Sequence, residues 1–352
     1  MIWRRYFEKL SYTDPLQQQN VDSSSDWSTQ AAEFTRTYVK YHHNRRAFGL
    51  KEIIIVIALL GVVFLMAAPL LLSSRENARR NTCLFRQKLL ADALIAYDED
   101  LRELPGYANL QATSIDTGWL FPALPYLQSR IYPTPGEMPP PPYLEAFQAY
   151  SADGELAGQV PDFTVYEAIC PDDAPEDPEQ WGGVSSFVAN SGMPDVPPTS
   201  EIPADWAANG IFQNRLHQNS GVAFEQFTLQ QISELDGLEM TLLLGENVDA
   251  GSWTSATEAD VAFLWSNDAE AILGINQQTG QGNGSARFSR LSSYHPGGVN
   301  VMFGSGAGKF INERIDAILF SQMQATNDAQ AKVAGTDQLV WPAATAPAAK
   351  VP

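Results

Sequence analysis

Cysteine and histidine are scarce in this chain of 352 residues: Cys83 and Cys170 are its two cysteines, and His42, His43, His217 and His295 its four histidines. No Cys-x-x-Cys pair occurs, so a structural zinc site is not supported. Positive charge is also in short supply, with 22 Lys and Arg against 41 Asp and Glu and a formal net charge of −19. That balance excludes a nucleic-acid partner held through phosphate neutralisation. There is no G-x-S-x-G elbow to present a nucleophile, and no internal repeat. His295 is followed by Pro-Gly-Gly, which fixes a turn, so it reads as a structural, hydrogen-bonding histidine and not as a catalytic one. The acidic run Asp172, Asp173, Glu176, Asp177 and Glu179 lacks EF-hand spacing and is stiffened by prolines 171, 175 and 178; it reads as a solvated loop, with a calcium site the lesser alternative. The expectation is therefore no enzyme, no cofactor and no metal site. Wholesale disorder is ruled out by a content of 44% hydrophobic and 11% aromatic residues.

One long hydrophobic run is present. Ile53 to Leu72, IIIVIALLGVVFLMAAPLLL, holds no charge and matches the roughly 20 residues a helix needs to cross a bilayer core. A core helix would be amphipathic, whereas this one is apolar all round. It is longer than the apolar part of a secretory signal and follows a polar leader, so a single transmembrane segment at 53–72 is expected. The basic flanks tie: Arg36, Lys40, Arg45, Arg46 and Lys51 on one side, Arg75, Arg79, Arg80, Arg86 and Lys88 on the other. Residues 106–352 hold 8 basic and 29 acidic residues, and an acidic domain with two well-separated cysteines suits an extracytoplasmic compartment.

Beyond the run, Leu90, Leu94, Tyr97 and Leu101 recur at spacings of four, three and four among charged residues, one apolar stripe on a polar helix that ends near Pro105 and Gly106. Pro69 removes a hydrogen bond inside this helix and is expected to kink it.

The string RRAFGLKEIIIVIALLGVV resembles a prepilin-type cleavage and methylation signal. In such signals a basic pair and a small residue precede the Phe that becomes the mature N-terminus, and a Glu follows four residues later. Here those are Arg45, Arg46, Ala47, Phe48 and Glu52, and Pro69 falls twenty-second from Phe48, where pilin-like helices commonly carry a proline. Glu52, at the edge of the apolar run, is by resemblance the carboxylate that faces a neighbour's N-terminal amine; a headgroup position beside Lys51 is the alternative. Five further motifs in order, RRNTCLFRQKLL at 79–90, CPDD at 170–173, SFVANSG at 186–192, TLLLGEN at 241–247 and YHPGGVNVMFGSGAGKFINERID at 294–316, resemble a pilin-like family abundant in planctomycetes and known as domain of unknown function 1559. Its C-terminal His-x9-Asp-Gly element corresponds to His295, Gly297, Gly298, Ser305 and Gly306, with Ser305 where the family has Asp.

The remaining pattern is of strands and loops. Val160–Ile169 carries strand formers, Ser186–Ala189 precedes a turn at Asn190–Gly192, and Met240–Leu244 is a short buried run. Val299–Phe303 and Lys309–Ile311 flank GSGAG as a hairpin. Asn312 caps a last helix through Gln324 with Ile315, Ile318, Leu319 and Met323 on one face. The segment 132–143 reads as a polyproline-like insertion.

The expected architecture is α+β and pilin-like, a long N-terminal transmembrane helix packed on an antiparallel β-sheet ectodomain. Its parts are a cytoplasmic leader 1–47 that is removed, a helix 48–104, an extracytoplasmic domain 105–330 and a disordered Ala/Pro tail 331–352. The resemblance implies a pseudopilin-like structural subunit of a secretion or surface appendage system. It would be cut by a prepilin peptidase and associate with itself or other pilin-like subunits through the N-terminal helix. It would sit in the inner membrane as a single-pass protein, or at the cell surface after assembly. The alternative is a singly anchored extracytoplasmic binding module for a cation, glycan or protein. The family carries a Cys at both corresponding motifs, so a Cys83–Cys170 disulfide is expected, closing a loop worth roughly 4 to 5 kcal/mol at most by chain entropy; two unpaired thiols are the alternative.

Overall fold

The computed structural model describes residues 49–110, 116–131, 164–177, 183–268, 271–278 and 285–341, without the side chains of 66–73 and 128–131. It divides into two units, between Ala68 and Pro69.

In the first unit the described residues begin helix α1, Leu50–Leu101. Glu52 accepts a hydrogen bond from the Gly49 N–H (2.9 Å), satisfying one of the donors that a helix start leaves open. From Leu50 to Leu65 every large apolar side chain is exposed, on all faces of the helix. Among the described residues no helix is long and apolar enough to cross a membrane. The apolar run continues to Leu72 through residues whose side chains lie outside the described ones, and so does the Pro69 side chain on which the expected kink rests. The helix itself runs on through Pro69 and stops at Leu101, a little short of the expected end.

In the second unit the rest of α1 packs on a five-stranded sheet of order β5-β3-β4-β6-β7. The strands are β3 (Phe187–Gly192), β4 (Leu242–Glu246), β5 (Ala262–Leu264), β6 (Gly298–Phe303) and β7 (Gly308–Asn312). Only the β3–β5 pair is parallel. The architecture is mixed α+β on a mainly antiparallel sheet, as expected.

Alternation along the strands divides the core in two. Phe187, Ala189 and Met302 join the cluster that includes Leu90 and Leu94 of α1, while Val188, Val299, Val301 and Phe303 belong to a second cluster. The α1 stripe is buried at Leu90, Leu94 and Tyr97, but Leu101 is exposed where the helix ends. A small ribbon, β1 (Ala108–Leu110) with β2 (Asp116–Gly118), leads into α2 (Leu120–Ile131), whose Trp119 neighbour donates its indole N–H to Val261 O (3.1 Å).

The GSGAG hairpin stands as expected: β6 and β7 pair antiparallel from Gly298↔Asn312 to Met302↔Gly308, and Gly306 supplies the left-handed turn residue (φ +78°).

Several expectations need correction. Phe187–Gly192 of SFVANSG form one strand, not a strand and turn, because the Asn190 amide group donates to Leu242 O and Gln324 O (both 2.7 Å) instead of turning its own backbone. The last helix, α3 (Ala317–Gln324), is capped by Asp316, whose carboxylate accepts from the N–H groups of Ile318 and Leu319; Asn312 is already used at the end of β7. On α3 Met323 is buried but Ile318 and Leu319 are exposed. Tyr166–Ala168 is a 3-10 turn, not a strand.

The proposed Ala/Pro tail is corrected over its first part: Ala331 is buried, Val340 N–H donates to Ala331 O (2.9 Å), and Trp341 stacks on Trp265 at 5.0 Å. Residues 342–352, the insertion 132–143 and 160–163 lie outside the described residues.

Candidate functional site

Glu76, Arg79, Arg80, Cys83 and Gln87 stand at i, i+3, i+4, i+7 and i+11, so they share one face of α1. This face meets the sheet through directed bonds. Cys83 is joined to Cys170 (Cα–Cα 5.0 Å), which settles the pairing in favour of the disulfide. Arg86 Nη1 donates to Ile169 O (2.6 Å) beside it, Gln87 Nε2 to Asn300 O (3.4 Å), and the Arg80 guanidinium lies 4.4 Å from the centre of the Phe310 ring.

At the upper end of this seam sits His295, its side chain 1% exposed. Its Nδ1 lies 2.9 Å from Glu76 Oε1 and 3.3 Å from Asp172 Oδ2; its Nε2 lies 3.4 Å from Glu246 Oε1 and 3.6 Å from Cys170 Sγ. Burial pulls the imidazole pKa down. The hydrogen bond and charge of Glu246, with Glu76 and Asp172, outweigh it, so the pKa stands above the ordinary value. The turn that holds the ring is built by neighbours: His295 N–H donates to Ser293 Oγ (3.1 Å), and Ser293 Oγ donates to Gly298 O (2.7 Å). Gly297 is left-handed (φ +85°), and a Cβ on Gly298 would come within 2.0 Å of Ile311 O, so Pro-Gly-Gly is demanded by the turn and by the β7 backbone.

The acids are equally fixed. Asn300 donates to Glu246 through its backbone N–H (2.7 Å) and its side-chain amide (3.0 Å). Arg79 Nη1 stands 3.3 Å from Asp172 Oδ1. Asp173 is held at a pKa of about 7, raised by burial and by the charges of Glu246 and Asp249, against a hydrogen bond with Ser186. Nearby, Arg290 and Asp249 form an ion pair (2.7 Å) with both side chains almost fully buried. The acidic loop is thus not simply solvated: Asp172 and Asp173 turn inward, Glu176 and Asp177 are exposed, and Glu179 lies outside the described residues.

The structure therefore brings the five sequence motifs to one place. Helix residue Cys83, the Cys170 loop, the start of β3, the Gly245-Glu246 end of β4 and the His295 turn all meet there. Ser186 links two of them, its Oγ accepting from Cys170 N–H (2.9 Å) and its carbonyl from Asn247 N–H (3.0 Å). Ser305 and Gly306 are elsewhere, in the β6–β7 turn, where Ser305 Oγ accepts from Ala307 N–H (3.3 Å). Glu76 and Glu246 escaped sequence reasoning. Glu76 carries no local signal, whereas Glu246 stood in a motif whose partner could have been sought. Ala47 and Phe48 lie outside the described residues, so of the processing residues only Glu52 is placed.

Two sets of side chains lie close enough to share an ion, each offering ligand atoms within 4.8 Å of one another: Cys83, Cys170, Glu246 and His295, and Glu76, Asp172 and His295. In the first the sulfurs are bonded to each other and are not thiolates.

A second buried acidic cluster lies apart from this one. Tyr107 Oη donates to Asp195 Oδ2 (2.5 Å), Asn214 Nδ2 donates to the same oxygen (3.2 Å), and Asp195 N–H donates to Glu258 Oε2 (3.0 Å). Asp205 accepts from Met193 and Trp206 N–H and from Asn209. Burial raises the pKa of Asp195, Asp205 and Glu258, the last two strongly, and the charge of Asp195 adds to the rise at Glu258.

Residues 73–317 match the family described as protein of unknown function (DUF1559). With the match covering more than two thirds of its length, the chain belongs to that family. No curated protein and no solved structure matches it.

Proposed function

We propose that this member of the DUF1559 family is a pseudopilin-like, membrane-anchored structural subunit of a secretion or surface appendage system. The observation that carries the reading is the unsatisfied apolar surface of α1. Leu50, Ile53–Ile57, Leu59, Leu60 and Val62–Leu65 are all about half exposed or more, with Phe64 at 70% and Leu65 at 74%. Apolar surface on every side of a helix is stable only in lipid or among other apolar helices. The sequence prolongs this surface, uncharged, to Leu72, the length of a bilayer core.

Farther along, the same helix is tied to the folded domain by a disulfide and a set of buried polar contacts. Such a tie suits a subunit that leaves the membrane for a helical bundle. Pilin-like processing supplies the route: cleavage between Ala47 and Phe48 frees an amine four residues from Glu52, whose carboxylate meets the backbone of Gly49. The acidic domain then lies outside the cytoplasm, where its disulfide persists.

N-terminal sequencing of the protein isolated from native membranes tests this reading. Phe48 as the first residue is the expected outcome. Met1, or any other residue, would favour an uncleaved anchor. Glu52→Ala should leave cleavage and membrane insertion intact and lower crosslinking between subunits.

A further inference from the structure

We propose that Glu76, Asp172 and His295 form a binding site for a divalent transition-metal ion of the zinc class, a site that does not depend on the membrane reading. Two carboxylate oxygens, Glu76 Oε1 at 2.9 Å and Asp172 Oδ2 at 3.3 Å, converge on one ring nitrogen, His295 Nδ1. A ring nitrogen carries at most one proton and can direct it well at one acceptor. A metal ion satisfies all three atoms together. Zinc binds nitrogen and oxygen at about 2.0 to 2.2 Å, which sets adjacent ligand atoms of a tetrahedron roughly 3.3 to 3.6 Å apart; the Asp172 oxygen already stands at that distance from Nδ1, and the Glu76 oxygen has only to move out slightly.

The remote side of the ring supplies an independent observation. His295 Nε2 faces Glu246 Oε1 at 3.4 Å, and both oxygens of Glu246 are fixed by Asn300. Metal-binding histidines are oriented in this way: the far N–H points to a carboxylate, which leaves the near nitrogen's lone pair for the metal. Arg79 does the same for Asp172, holding Oδ1 so that Oδ2 turns inward. Exposure rises from 1% at His295 through 13% at Asp172 to 31% at Glu76, so one side is open for an ion to enter and for water to complete its coordination.

Ligand chemistry selects the class. One imidazole with two carboxylates suits zinc or manganese, whereas calcium and magnesium favour all-oxygen shells. Judged by cysteine and histidine spacing alone, the chain does not support a structural zinc site. The ligands proposed here come from α1, the Cys170 loop and the turn before β6, which no linear spacing can reveal. An ion held by all three ties the helix to the sheet beside the disulfide and stabilises the folded domain by mass action.

The test uses the full-length chain in detergent, stripped with chelator and dialysed against zinc chloride, with bound metal counted by mass spectrometry and affinity measured by calorimetry. The expected result is one zinc per chain, with Glu76→Gln and Asp172→Asn each weakening binding at least about tenfold. Glu246→Gln, acting through the ring, should weaken it about 10- to 100-fold. Cobalt in the same site should give d–d absorption without a sulfur charge-transfer band. Glu76→Gln alters a partly exposed helix residue, so a folded variant is available even if changes at His295 or Glu246 unfold the domain. Absent zinc binding overturns the proposal. So does binding unchanged in both carboxylate variants, which would place the ion on other histidines, or calcium bound as tightly as zinc.

Discussion

Around His295 the carboxylates of Glu76, Asp172 and Glu246 face an imidazole and a guanidinium, and Asp249 next to them is paired with Arg290. Around Glu258 the carboxylates of Asp195 and Asp205 face a tyrosine hydroxyl, side-chain amides and backbone N–H groups. Among the described residues none of these three acids has an ion pair with Lys or Arg. Both clusters are wholly or partly buried, yet they meet the cost of burying charge by different routes. The first sets an imidazole and guanidinium groups, brought from distant stretches of the chain, against its acids. In the second, desolvation favours the neutral acid, so protons do what cations do in the first. A buried carboxylate is therefore not one kind of object, and its partner decides whether it acts as a tie or as a weak acid.

Removing the disulfide beneath the first cluster should have one of the two largest effects. Cys83→Ser with Cys170→Ser opens a loop of sequence separation 87 and should cost about 2 to 5 kcal/mol, read by chemical denaturation under oxidising conditions. The Glu258 cluster does not depend on that bond, so the response of stability to pH that it imposes should persist in the double variant.

The buried pair ranks beside it. Arg290→Met takes the guanidinium away from the buried Asp249 side chain and should destabilise by about 3 to 5 kcal/mol, measured as a fall in the denaturation midpoint. A loss below 1 kcal/mol would mean that Asp249 finds compensation elsewhere, and the contrast between the clusters would fade.

The smallest effect has the opposite sign. Raised folded-state pKa values mean that Asp195, Asp205 and Glu258 bind protons more tightly folded than unfolded. Their contribution is fully present below the unfolded carboxylate range near pH 4 and is lost as pH rises through the folded values. Glu258→Gln removes one such acid and keeps an acceptor for Asp195 N–H. It should stabilise the protein at pH 8 by on the order of 1 kcal/mol and do little at pH 4, as thermal melts at the two values would record. Equal effects at both pH values would show that Glu258 is ionised throughout.

Much of the first cluster was legible in pieces. CPDD, GEN and YHPGG stood out as motifs, the two cysteines invited pairing, and the His295 turn followed from Pro-Gly-Gly. Their convergence was not legible, because Glu76 and His295 are 219 residues apart and nothing near Glu76 marks it. The second cluster gave even less warning, since an isolated Asp or Glu in a loop looks like any solvated acid until its neighbours remove the water. Local signals also misled where tertiary bonds outbid them: Asn190 looked like a turn former, but its amide group is spent on Leu242 O and Gln324 O, and the strand runs on.

The amino-acid sequence by itself determined what depends on neighbours a few positions away. That includes the apolar run 53–72, the stripe Leu90–Leu94–Tyr97, the β6–β7 hairpin around GSGAG and the acidic character of the domain. Periodicity, backbone freedom at glycine and net charge are short-range or additive properties, and they can be read along the chain. Only the tertiary structure decided which carboxylates are paired, which carry raised pKa values, and that three ligand atoms from residues 76, 172 and 295 lie within 4.8 Å of one another. Desolvation and Coulomb interaction depend on distance through space, and the fold sets those distances by packing α1 across the sheet.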